Sequence, residues 1–151
     1  MNKFLTLSFL PTRRDLGLLL LRLGFGAYLI MGHGLPKLLE FAYLKNNFPD
    51  PLDVSSPLSL GFTVGAEVFA AAFVILGLFT RLAAVAVIFT MGVIFFAIHD
   101  GIFVGEGKGE LAMVYLVAYL TIFVAGAGKY SIDGKLGGNR STGRGVKHTA
   151  R

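Results

Sequence analysis

Arg22, Gly26, His33 and Lys37 stand at i, i+4, i+11 and i+15 along an otherwise apolar run. At about 100° per residue of helix they fall within a stripe roughly 60° wide. Charge is costly in hydrocarbon and marks functional positions, so such a stripe must face other helices. Glu67 is the one charge of a second apolar run. It lies roughly 10 Å from Arg22 in depth at 1.5 Å per residue. Two fates of Arg22 follow: a link to Glu67, direct or through water or ligand, or a reach to the nearer headgroups.

A denser polar group is expected at the other ends of the helices. It holds His33, Lys37, Glu67, His99, Asp100, Lys108 and Glu110, with Tyr115 and Tyr119 one turn apart on the last apolar run. Glu67, His33 and His99 are the candidate proton-exchanging groups, since His donates, accepts or shuttles a proton near neutral pH. Arg22, Lys37, Lys108, Glu110 and Tyr115 are the candidate substrate-binding groups, suited to a small anion or a quinone head group. The plainer alternative is that polar residues simply collect where helices meet the membrane surface. His33 and His99 are also a formal axial pair for haem, but nothing else in the chain supports one. No metal site is expected, since no His and carboxylate share i, i+4 spacing. No glycine-rich phosphate loop follows a strand, and no serine lies within the apolar runs.

The elements that must position these residues are membrane helices. The chain has 151 residues, 54% apolar and 15% charged, with a mean hydropathy of +0.69. Ordinary soluble domains are about 45–50% apolar and about 25% charged. With zero Cys, disulfides, thiolate metal sites and thiol redox chemistry of the chain itself are excluded. Spanning a bilayer takes roughly 20 apolar residues. Four runs qualify, at about 16–35, 60–79, 82–98 and 111–127, and lipid demands that they be helical. The expected fold is therefore an all-α transmembrane four-helix bundle over 1–136, with a basic, disordered tail over 137–151. The stretch from Pro36 to Lys45 is amphipathic and reads as an interfacial segment, and Met1–Leu10 as one lying on the inner surface.

An even number of spans puts both termini on one side. That side carries ten Lys and Arg residues, including Arg13, Arg14, Arg81 and Lys129, against three on the other: Lys37, Lys45 and Lys108. The bias places both termini in the cytoplasm, with the lipid bilayer as first partner. The basic tail is read as a topology signal, not as a nucleic-acid contact.

The residues also resemble the DoxX family of small four-span bacterial membrane proteins, over roughly Leu16 to Leu136. The resemblance rests on Leu-Arg-Leu-Gly-Phe-Gly around Arg22, on Gly34-Leu35-Pro36-Lys37, and on Glu67 followed by Gly77-Leu78-Phe79-Thr80-Arg81. It continues with His99, Gly107-Lys108-Gly109-Glu110-Leu111 and Gly126-Ala127-Gly128-Lys129-Tyr130-Ser131-Ile132-Asp133, where Ser131 or Asp133 would cap a short turn. The resemblance implies a multi-pass bacterial inner-membrane protein linked to membrane redox. Related proteins include a subunit of thiosulfate:quinone oxidoreductase and proteins tied to quinone or catechol resistance and to oxidative stress. It implies Arg22, Lys37, Glu67, Lys108 and Glu110 as the polar core, with a quinone as cofactor. Two function classes stay open. One is a quinone-linked oxidoreductase or oxidoreductase subunit. The other is a non-catalytic scaffold whose tail recruits a redox partner protein or whose helices form a homo-oligomer. Transport by an oligomer ranks third.

Overall fold

The structure is a computed structural model and describes residues 13–103 and 109–138. The expectations for Met1–Leu10, for Lys108 and for most of the basic tail lie outside the described residues. Among the described residues six helices occur in chain order: α1 (Arg14–Leu39), the short α2 (Phe41–Leu44), α3 (Ser56–Leu76), α4 (Thr80–Ile98), α5 (Glu110–Ala125) and α6 (Ile132–Gly138). No strand is found among the described residues. α1, α3 and α4 are long and apolar enough to cross a membrane. α5 is equally apolar, but its 16 residues reach only about 24 Å.

The four long helices pack in a ring, each beside its neighbour in sequence, with α1 closing against α5. Sequence-adjacent packing is the simplest outcome of short connections. Hydrocarbon gives no hydrophobic drive for helices to associate, so small residues mediate the approach. Ala70 and Ala71 are buried on α3, Ala83 and Ala84 on α4, and Ala112 and Ala118 on α5. Leu29, Val74, Val87 and Ile122 fill the centre. Large side chains such as Leu20, Leu82 and Val124 point outward, as a lipid-facing surface requires.

Three of the long helices contain a π-helical stretch: Ile30–Gly34 in the second half of α1, Gly65–Ala70 at the middle of α3 and Ile94–Ile98 at the end of α4. α1 does not stop at Leu35; it runs on through Pro36 to Leu39. Proline breaks a helix by withholding one N–H and crowding a carbonyl one turn back. Here the preceding turn is already widened, with the Leu35 amide bonded to Ile30 O five residues back. The expected interfacial segment is thereby divided. Its first part extends α1, so Lys37 stays on the same helix as His33, and its remainder forms α2.

At the opposite end, where α1 begins and α5 finishes, the α3–α4 turn is built from backbone bonds. The Leu78 amide reaches Phe73 O (3.0 Å) and the Gly77 amide reaches Val74 O (3.1 Å). This is the paired pattern that closes a helix through a left-handed residue, and Gly77 has φ +69°. A Cβ there would sit 2.2 Å from the Arg22 guanidinium and 2.4 Å from Ser131 Cβ, so only glycine fits.

The chain beyond α5 then locks this end. Asp133 accepts hydrogen bonds from the amides of Phe79 (2.9 Å) and Thr80 (2.8 Å) and from the Thr80 hydroxyl (2.8 Å). It thus caps α4 from across the sequence, whereas the local turn is tied by Ser131, whose Oγ accepts from the Gly134 amide (2.9 Å). Partial burial acts to raise the Asp133 carboxyl. The three hydrogen bonds and the Arg22 charge outweigh it and hold the group below the ordinary carboxylate range. A lowered folded-state value means the stabilisation is complete above the unfolded value of about 3.9 and is lost as pH falls through the folded one. Asp133→Ala is therefore expected to cost about 1–2 kcal/mol at neutral pH. The gap to wild type should hold down to about pH 5 and close below about pH 4, read by thermal unfolding in detergent.

Candidate functional site

The π-helical half of the bundle brings most of the expected polar group together. Gly34 makes the central approach possible. A Cβ on it would lie 2.6 Å from Val68 Cγ2 and 3.0 Å from the Glu67 backbone, so α1 and α3 touch through backbone at this level. One turn further along α1, Lys37 Nζ donates to Glu67 Oε2 at 2.7 Å and to the His33 carbonyl at 3.3 Å. The Glu67 side chain is 2% exposed and that of Lys37 23%. The carboxylate is thus enclosed in the bundle while the ammonium reaches it from a wetter position. An ammonium has three N–H donors, of which two are engaged in these bonds.

These groups stand on the wall of a cavity of about 790 Å³. His33, Lys37, Glu67, His99 and Tyr115 all border it, and Leu29, Met91, Ile94, Leu111 and Ala112 supply apolar wall. The His33 ring meets Tyr115 edge-on, centroids 5.7 Å apart at 85°, and Phe25 packs on the same tyrosine at 6.0 Å. The widened π turns explain the convergence. His33 lies inside one, Glu67 inside another, and His99 ends the third. Such turns recur at functional sites because they re-aim side chains that a regular helix would direct elsewhere.

The loop between α2 and α3 covers the cavity with Phe48, Pro49, Pro51, Leu52 and Val54. Asp50 holds this cover in shape. Its carboxylate accepts from the Ser59 hydroxyl (2.6 Å) and from the amides of Ser55 (2.7 Å) and Val54 (3.1 Å). The Ser59 bond above all, against a smaller opposing effect of burial and with help from the two amides, holds the Asp50 carboxyl below the usual range. Ser56 adds a second tie, accepting from the Phe48 amide and donating to its carbonyl. The sequence marks this segment only as loop, from its prolines and Asn47. The Asp50…Ser55-Ser56…Ser59 pattern was the signal for a structured cover.

The other expected participants are placed elsewhere or beyond view, Asp100 among them, which does not border the cavity. Lys108 lies outside the described residues. Glu110 is exposed in the first turn of α5 and does not border the cavity. Arg22 is fully buried, but its guanidinium bonds to the carbonyls of Val74 (3.3 Å), Ile75 (3.4 Å) and Tyr130. These belong to the last turn of α3 and to the segment after α5. The structure realises neither the link to Glu67 nor the reach to headgroups, because carbonyls at the end of α3 and after α5 lie within reach and take up its N–H groups. Tyr119 is buried in the core with its hydroxyl unpartnered among the described residues, outside the cavity wall. No group of three His, Cys, Asp or Glu suited to a metal ion occurs among the described residues.

The fold and site define a helical membrane protein with a lysine–carboxylate pair beside an apolar cavity. The sequence profile of the DoxX family matches residues 17–100, and the chain belongs to that family. A Haemophilus influenzae protein described only as uncharacterized is 29% identical over 96 residues, covering 62% of this chain and 64% of its own length. The chain thus spans somewhat less than two thirds of that relative. A second uncharacterized protein of the same organism is 32% identical over 117 residues, covering 72% of this chain and 83% of its own length. No solved structure matches.

Proposed function

We propose that this protein binds the head group of a quinone in the cavity beside Lys37 and Glu67, as a quinone-linked membrane oxidoreductase or a subunit of one. The observation that carries this reading is the enclosed Lys37–Glu67 pair on the wall of an otherwise apolar cavity. Its volume lies within the roughly 300–1,000 Å³ usual for ligand pockets, which combine apolar walls with a few convergent polar groups. A bound quinone supplies two-electron, two-proton chemistry. The chain's own residues position the head and manage protons. Lys37 and Glu67 would hold the head through its oxygens, and His33 and His99 would exchange protons with the water side. Electrons come from a redox partner protein, since the chain has no Cys. The Lys and Arg bias supports cytoplasmic termini and a bacterial inner membrane, with the cavity toward the outer face.

The chain has no Trp and five Tyr, and Tyr115 borders the cavity, so tyrosine emission reports directly on a quinone bound there. Full-length protein in lipid nanodiscs, titrated with a tail-less dimethoxybenzoquinone, is expected to show saturable quenching. Glu67→Gln should weaken it about tenfold, as for loss of one charge-assisted bond. Quenching that is non-saturable, or equal in the variant, would leave the scaffold reading in place.

A further inference from the structure

The cavity extends past the ion pair. On its far side it is walled by Gly61, Phe62 and Gly65 of α3 and by Ala86, Phe89 and Thr90 of α4. Phe62 and Phe89 are also 65% and 62% exposed on the outward surface of the bundle. Cavity wall and lipid-facing surface are therefore continuous at this point. The reason lies in the packing. α4 packs against α3 from Gly65 to their shared turn, whereas the Ser56–Val64 portion of α3 packs against the end of α1 and against α2. The hairpin consequently opens along its outer portion. Glycine keeps the opening wide: a Cβ on Gly61 or Gly65 would meet nothing within 4 Å. The Thr90 hydroxyl is satisfied on Ala86 O at 3.0 Å, so the wall makes no polar demand there. On the side of the α2–α3 loop the wall is formed by the Asp50-pinned apolar segment, whose Leu52 and Val54 are also exposed.

We infer that the ligand of this site is a long-chain amphiphile dissolved in the bilayer, with its head at Lys37–Glu67 and its hydrocarbon chain in the cleft between α3 and α4. The inference rests on the quinone reading for the head alone; the cleft stands on its own geometry. A chain passing from lipid into an apolar cleft gains no hydrophobic free energy, since lipid tails are already apolar. The cleft therefore acts by shape, giving the chain a path out to lipid while the head stays inside.

The test uses full-length protein in nanodiscs and two probes with the same decyl chain ending in a photoreactive diazirine. One carries a dimethoxybenzoquinone head and the other a simple alcohol. With the quinone probe, adducts are expected on Phe62, Phe89 and Thr90, competed by unlabelled decyl quinone. Gly65→Leu and Ala86→Phe fill the cleft where the structure leaves room, and should cut those adducts about tenfold by overpacking. Both should leave quenching by the tail-less quinone within about twofold of wild type, an effect below 0.5 kcal/mol. Adducts unchanged by either variant, or spread over outward residues such as Leu20 and Leu82, would overturn the inference. If the tail-less quinone does not bind at all, the head-group reading fails, and the alcohol probe decides the cleft. Adducts there that Gly65→Leu removes uphold it, and their absence overturns it.

Discussion

Lys37→Ala is expected to destabilise the protein by about 3–5 kcal/mol, the range for stripping one partner from a buried ion pair. The cost arises from what is left behind. Glu67 is enclosed between α1 and α3, held 2.7 Å from the ammonium, and the backbone contact at Gly34 keeps it from moving toward water. Glu67→Gln should cost distinctly less, because the Lys37 side chain is 23% exposed and can turn its charge outward. Removing both charges together, as Lys37→Met with Glu67→Gln, should recover most of the loss, since apolar replacement of both partners is often near neutral. Unfolding of wild type, Lys37→Met, Glu67→Gln and the double variant in mixed detergent gives the coupling directly. A double variant as unstable as Lys37→Met alone would mean that the loss does not come from an uncompensated Glu67 charge.

The second large effect is at the other end of the bundle. Arg22→Ala should cost about 3–5 kcal/mol, because it leaves the carbonyls of Ile75 and Tyr130 without this buried donor, at about 1–3 kcal/mol each, while Val74 O keeps the Gly77 amide. Arg22→Lys should restore only part of this. One ammonium cannot reach carbonyls on two segments as the planar fork does. Once folded, both variants should bind tail-less quinone as wild type does, since Arg22 does not border the cavity. Binding that falls in step with Arg22 would reassign it to the site.

Much of this arrangement was legible in the residues. Spans follow from apolar runs, and the Arg22, Gly26, His33, Lys37 stripe correctly assigns one face of α1 to the interior. Within that stripe the sequence could not choose partners. Depth along ideal helices brings Arg22 and Glu67 within reach of each other as a compromise. In the structure Lys37 takes Glu67, because α1 continues past Pro36, and Arg22 takes the end of α3. Both outcomes depend on features a hydropathy pattern does not encode: the widened turn at Ile30–Gly34 and the return of the segment at Tyr130 to Asp133 against the α3–α4 turn. Asp133 illustrates the second point. Its type and place suggest a local cap, and only the tertiary fold makes it the cap of a helix more than fifty residues away. The cleft beside Gly61 and Gly65 was hidden for a similar reason. Glycines in a membrane helix suggest close packing, yet these two face open space.

The most direct test of the site is tail-less quinone quenching of tyrosine emission in the Lys37→Met/Glu67→Gln double variant, in which folding and binding are separated. The variant is expected to unfold close to wild type and yet to lose saturable quenching, with affinity lowered at least about tenfold for the absent donor and acceptor. Wild-type quenching in a stably folded double variant would contradict the assignment of Lys37 and Glu67 as the groups that hold the quinone head.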